Sequence, residues 1–213
     1  MKVGVIGSGE VGQTLADGFL KHGHEVMRGS RDPRKLSDWV ATAGDRASAG
    51  DFAETAAFGE LVVLAVKGAV VEDAVGLCAA QLSGKPVIDA TNPISGAPQD
   101  GIVQYSTSLD GSMMERLQAR VPEAHFVKAF SCVGSPLMVN PELPGGPPTM
   151  FICGDSSEAK KTVQGILDQF GWETEDLGGV KAARAIEPLC ILWCIPGFLG
   201  KGWKHAFKLL RGS

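Results

Sequence analysis

The chain has 213 residues, 44% of them hydrophobic, and a formal net charge of −4, enough for one substantial core and at most a small appendage. A pI near 5.6 excludes a general nucleic-acid binder but leaves room for a local basic site. Five cysteines (Cys78, Cys132, Cys153, Cys190, Cys194) form no CxxC pair and four scattered histidines give no zinc spacing. The expectation is no metal site, with reduced and mostly buried thiols in a cytoplasmic protein.

No signal peptide precedes the first apolar run, and the longest apolar stretch, Pro188 to Gly200, is too short for a bilayer and contains a proline, so no membrane partner is expected. "KVGVI" (2–6) reads as a buried parallel strand. Glu10 to His22 carries apolar residues at helical spacing, and "HEVM" follows as a second strand. Asp32 before Pro33 marks a helix start that runs to about Ala43. A capped helix at 51–59, a strand at 60–66, a helix over Val70 to Leu82 and a strand at 85–91 come next. "NPISGAPQDG" (92–101) is loop by composition. Then follow a helix from Gly111 to Val121, a strand at 125–130, a Pro/Gly-rich loop from Gly134 to Pro148, a strand at 149–154 and a capped helix at 155–171. A last strand, "WETEDL", precedes two helices, about Lys181 to Cys194 and Gly200 to Leu210.

Strands alternating with helices imply an α/β fold: a Rossmann-type, doubly wound, mostly parallel sheet with its ligand at the carboxyl ends of the strands. Residues 1–180 are expected to form the nucleotide-binding domain, and 181–213 a small helical C-terminal extension packed on it.

"GSGEVG" (Gly7, Ser8, Gly9, Glu10, Val11, Gly12) sits between the first strand and an amphipathic helix, the setting of a dinucleotide site. Gly7 makes the turn, Gly9 admits the pyrophosphate, Gly12 lets helix and strand approach, and the helix N-terminus faces the phosphates. After the second strand there is no ribose-binding acid; the chain reads Arg28-Gly29-Ser30-Arg31. A hydroxyl and a guanidinium suit a phosphate monoester, so Ser30 and Arg31, with charge from Arg34 and Lys35, favour NADP over NAD. Asp32 is the counter-candidate for the ribose, but its place before Pro33 suits a helix cap better.

Further cofactor contacts are expected at Ala65, Val66 and Lys67 and at Thr91, Asn92 and Pro93, the ends of later strands. No Tyr-x-x-x-Lys pair, Ser/His/Asp set or metal constellation is visible, and no catalytic residue is assigned. Ketone reduction needs a general acid, whereas hydride transfer to a stacked, flavin-like ring needs mainly proximity.

"GSRDPRK", "VKAF", "TMFICGDSSEAKKTV" and "LGGVKAARAIEPL" together resemble the NADP oxidoreductases dependent on the deazaflavin coenzyme F420, across nearly the whole chain. The first half is also similar to the reductase domain of the STEAP metalloreductases. The resemblance implies NADP(H) as cofactor, a small-molecule acceptor such as coenzyme F420 or a flavin, and often a homodimer. It places the pyrophosphate on Gly7 to Gly12, the 2′-phosphate on Ser30 and Arg31, and the nicotinamide near Ala65 to Lys67, Asn92, Pro93 and Ala129. One departure bears on the acceptor: relatives outside the strict deazaflavin enzymes commonly read "KAFNT" and the deazaflavin enzymes read differently, with a histidine, where this chain has Lys128-Ala129-Phe130-Ser131-Cys132.

Two other readings share the fold. A non-catalytic NADP(H) sensor would need no acid or base, and a slot filled by Trp193 or Phe198 would favour it. An imine reductase of the pyrroline-carboxylate type would need a longer helical segment after Cys132. The C-terminal helix, with Lys201, Lys204, His205, Lys208 and Arg211 on one side, reads either as a solvated face or as a basic rim for an acidic acceptor.

Overall fold

The computed structural model describes residues 1–212. Its centre is a six-stranded parallel sheet of β1 (Lys2–Ile6), β2 (Glu25–Gly29), β3 (Ala47–Gly50), β4 (Leu61–Leu64), β5 (Pro86–Asp89) and β6 (His125–Lys128), in the order β3-β2-β1-β4-β5-β6. This is the doubly wound Rossmann order, and its direction reverses between β1 and β4, where a crevice opens. β1 and β4 are continuous apolar runs because helices cover both faces of the sheet.

One face buries α1 (Glu10–Lys21), α2 (Ser37–Ala43) and α7 (Ser157–Gln169) in a core around Val5, Phe19, Ile88, Val163 and Phe170. The other holds α3 (Phe52–Phe58), α4 (Val71–Gly76), α5 (Ala79–Leu82) and α6 (Met113–Arg120) around Val62, Leu82, Leu117 and Phe126. α3 and α6 start on reciprocal capping boxes, Asp51 with Glu54 and Ser112 with Glu115, which satisfy the first free N–H groups. β7 (Thr149–Ile152) and β8 (Glu173–Asp176) form a separate parallel pair, tied to β6 by a bridge between Lys128 and Cys153.

Four features depart from the sequence reading. The edge strand β3, "ASAG", escaped it because small residues carry little strand propensity. The helix expected over Val70 to Leu82 is a 3₁₀ turn at Gly68–Val70 followed by α4 and α5, interrupted at Cys78, whose φ of −135° is not helical. The helix expected from Lys181 to Cys194 is a 3₁₀ turn at Val180–Ala182, then α8 (Ala183–Ile186) and α9 (Leu189–Phe198), restarted at Pro188.

The last expected helix, Gly200 to Leu210, is absent. Gly200 and Gly202 take φ of 75° and 86° and turn the chain back. The following segment runs beside β7, where the Thr149 N–H donates to the Phe207 carbonyl (2.9 Å) and the Leu209 N–H to Thr149 Oγ1 (3.0 Å). There is accordingly no basic helical rim: Lys208 bonds Glu173 (2.9 Å) and the Pro147 carbonyl (2.7 Å), and Arg211 pairs with Glu175.

Candidate functional site

A cleft of about 740 Å³ opens at the carboxyl ends of β1, β2 and β4. Gly7, Ser8 and Gly9 line it from the first strand, Ser30, Arg31, Asp32 and Lys35 from the second, and Ala65, Val66 and Lys67 from the fourth. The glycine turn has its shape for steric reasons. Gly7 has φ 152°, and a Cβ there would collide with the Ala65 carbonyl; a Cβ on Gly12 would lie 2.5 Å from the Gly7 carbonyl oxygen. Gly9 meets nothing, so its open side faces the cleft at the N-cap of α1. Val11 and Gly12 do not line the cleft: Val11 packs on the core and Gly12 lies buried under the turn. Glu10, the first residue of α1, accepts a hydrogen bond from Ser135 Oγ (2.6 Å).

At the end of β2 the polar groups divide their tasks. Asp32 caps the 3₁₀ turn Pro33–Leu36, accepting from the Arg34 N–H (3.3 Å), Nε (2.8 Å) and Nη2 (3.1 Å). Those bonds hold its carboxyl below the ordinary aspartate value. Ser30 Oγ accepts the Asp32 N–H (3.2 Å), which leaves its proton free to donate. Among the described residues, Arg31 has no carboxylate within ion-pair distance. An exposed guanidinium and a free hydroxyl therefore face the cleft beside a carboxylate already neutralised by Arg34.

The ends of β5 and β6 are built differently. Lys128, wholly buried, bonds Asp89 (2.7 Å), Glu187 (3.0 Å) and the Thr91 carbonyl (3.0 Å). Burial would lower its ammonium pKa, and the two carboxylates more than reverse this, so it lies above the ordinary lysine value. Glu187 also accepts the Met113 and Met114 N–H groups, both at 3.0 Å, at the start of α6. Tyr105 contacts the Glu187 carbonyl (2.8 Å) and Asn92 Oδ1 (3.1 Å), while Asn92 Nδ2 donates to the Ser131 carbonyl (2.7 Å). Burial pushes the Tyr105 phenol well above its ordinary value, which keeps it a neutral donor. The sequence reading left Tyr105, Asp89 and Glu187 without a role; only the fold brings them together, across 82 positions in the Tyr105–Glu187 contact.

Asn92 is half-buried, Pro93 is buried and neither lines the cleft. Ala129 corrects the expectation: it is 0% exposed, with its N–H on the Asp89 carbonyl (3.2 Å), and offers no surface to a ligand. Cys132 is buried too, its thiol pushed up to about 12 by desolvation, so it packs as a neutral thiol rather than a nucleophile. Trp193 packs against Gly134, where a Cβ would lie 2.7 Å from its ring, and donates Nε1 to the His205 carbonyl (2.8 Å). Phe198 stays 42% exposed, edge-on to Trp203. Among the described residues no group of three His, Cys, Asp or Glu side chains suits a metal ion, and no helix is long and apolar enough to cross a membrane.

Fold and cleft together define a dinucleotide-binding protein of Rossmann type, and its relatives make it an NADP-dependent oxidoreductase. The family model for coenzyme F420-dependent NADP oxidoreductases matches residues 2–93. A crystal structure from Arthrobacter sp. FB24, provisionally described as an F420-dependent NADP reductase, superposes with a TM-score of 0.93 at 31% identity, over 99% of this chain and 100% of that one. The chain belongs to the coenzyme F420-dependent NADP oxidoreductase family. It is 27% identical to the F420-dependent NADP reductase of Methanothermobacter thermautotrophicus, over 89% of this chain and 86% of that one. It is 32% identical to the metalloreductase STEAP3 of Rattus norvegicus over 94% of this chain, yet spans only 39% of that protein's length.

Proposed function

We propose that this chain moves a hydride between the nicotinamide C4 of NADPH and a planar, stacked acceptor, a deazaflavin such as coenzyme F420 or a flavin. The observation that carries the reading is the end of β2, where Asp32 is bound to Arg34 while Ser30 and Arg31 stay free to take a 2′-phosphate. Lys35 adds charge at the same wall. Outward N–H groups of the glycine turn bind the pyrophosphate. Ala65, Val66 and Lys67 flank the dinucleotide, with Asn92 and Pro93 toward its nicotinamide end. Residues 1–180 act as the nucleotide-binding unit, and 181–213 bound the acceptor side.

When bound, NADPH supplies the hydride. The chain's own task is to orient the two rings, which needs no proton donor. The acceptor assignment rests on the family.

Anaerobic mixing of the purified chain and NADPH with coenzyme F420, flavins, ferric chelates and quinones tests the proposal. Acceleration with deazaflavin or flavin is expected. Turnover confined to ferric chelates or quinones would overturn the acceptor assignment, and no turnover with any of them would overturn the hydride-transfer reading.

A further inference from the structure

Arg28 lies in β2, and its side chain is 1% exposed. Its neighbour on the same face, Val26, is an ordinary core residue. Arg28 Nη2 donates to the carbonyls of Gly9 (3.2 Å) and Gly7 (3.4 Å), while Nε has no partner. The guanidinium carbon stands 4.9 Å from the centre of the Trp39 ring, and that indole donates to Asp17 (2.7 Å). Desolvation lowers the guanidinium pKa and Asp17 acts to raise it. A buried cation with an unsatisfied nitrogen is a poor choice for stability alone.

The two carbonyls it holds belong to the glycine turn. Among the described residues there is no cis peptide, and in a trans peptide the N–H points opposite to the C=O. The Gly9 carbonyl also accepts the Gln13 N–H (3.0 Å), the first bond of α1, so Arg28 reinforces that orientation and adds its own hold on Gly7; with both carbonyls turned inward, the Ser8 and Glu10 N–H groups point out toward the cleft. The cation behind them lies in a medium that screens it little.

We propose that Arg28 is a positioning residue for the dinucleotide pyrophosphate: it fixes the outward N–H groups of the glycine turn and places a buried positive charge directly behind them. The inference rests on the reading of that turn as the pyrophosphate site. Arg28 thus acts on the part that NADPH and NADH share, whereas Arg31 acts on the 2′-phosphate that only NADPH carries.

The test measures Kd for NADPH, NADH and 2′-AMP on the full chain, with Arg28→Met, Arg28→Lys and Arg31→Ala. For Arg28→Met, NADPH and NADH should weaken by the same factor, about tenfold or 1.4 kcal/mol, and 2′-AMP, which lacks the pyrophosphate, should be unaffected. Arg28→Lys keeps the charge but loses the two-carbonyl grip and should fall between. Affinities for NADPH and NADH within twofold of wild type, or a loss of 2′-AMP equal to that of NADPH, would overturn the inference. If the methionine variant does not fold, the lysine variant is judged by the same criteria. A response to Arg31→Ala with none to Arg28→Met sinks this inference alone; no response to either sinks the reading of the cleft as well.

Discussion

Arg31→Ala should convert the chain from a selective into an indifferent nucleotide binder. A 2′-phosphate carries about 1.5 to 2 negative charges at neutral pH. One unit charge at about 4 Å from another is worth about 1 kcal/mol in water and about 4 kcal/mol at an effective dielectric of 20. Arg31 sits on the wall of an open cleft and is itself exposed, which puts its contribution in the lower half of that range, about 1.5–2.5 kcal/mol. That is a loss of roughly 10- to 60-fold in NADPH affinity. NADH, with no phosphate there, should change by less than about twofold. Arg34 cannot take over, because its Nε and Nη2 are bound to Asp32 at 2.8 and 3.1 Å. Measuring kcat/KM and Kd for both nucleotides from low to moderate ionic strength gives a second readout. Salt should weaken NADPH binding to wild type more steeply than to the variant, since the lost contact is screened. Equal losses for NADPH and NADH, or an unchanged salt slope, would refute the assignment of the 2′-phosphate to this arginine.

Three other perturbations separate site from scaffold. Gly9→Ala adds a Cβ that meets no protein atom; Tm should move by no more than the equivalent of about 1 kcal/mol at this N-cap, while both nucleotides bind at least about tenfold more weakly. Full retention of affinity would show that no ligand approaches Gly9. Lys128→Met leaves Asp89 and Glu187 buried without their shared cation and should cost about 3–5 kcal/mol, or roughly 6–20 °C in Tm for a chain this size; a melt within a few degrees of wild type would contradict the buried triad. Hydrogen bonds from Arg184 and Ser112 hold the Glu115 carboxyl down at about 2, against an ordinary 4.5. A depressed carboxylate contributes stability above its unfolded pKa and loses it as pH falls through the folded one. The Tm difference between wild type and Glu115→Gln should thus be full above pH 5 and vanish between about 4.5 and about 2; a difference that persists to pH 2 would assign the effect to packing.

The doubly wound α/β architecture and the residues lining the β1 and β2 end of the cleft were legible because their signals are local in sequence. An apolar run closing on glycine marks β1 and an unbroken apolar run marks β4, and Gly7 to Gly12 and Ser30 to Lys35 each lie within a few residues of the turn they build. Asp32 is the clearest case: Pro33 alone foretold that its side chain would turn back onto the next residues, as the bonds from Arg34 show. The buried polar cluster around Lys128 was not legible, because it is assembled from β5, β6, α6 and the segment before α9, far apart in the chain. Lys128 looked like one letter of a family motif, and its two carboxylate partners stand 39 and 59 positions away. Ala129 misled because it follows the last residue of β6 in a run from Phe126 to Cys132 that is buried throughout, so its side chain has no open face to offer. The C-terminal basic run had helical spacing by chance, and two glycines with positive φ let the sheet edge at β7 capture it instead.

Arg28 and Arg31, three residues apart, explain why the missing ribose acid does not weaken the dinucleotide reading. In a site that binds NAD, the group at the end of β2 does two jobs, accepting from the ribose hydroxyls and repelling a phosphate. Here a carboxylate is present but disarmed, because Arg34 occupies both its oxygens. The positive charges divide by depth: Arg31 lies at the cleft wall, and Arg28 lies beneath the glycine turn, with its hydrogen bonds on the Gly7 and Gly9 carbonyls. On the proposed reading, a phosphate on the adenosine side would meet an exposed, screened charge, whereas the pyrophosphate would meet N–H groups backed by a buried one. On that reading selectivity and affinity are carried by different residues, and each can be altered while the other is kept.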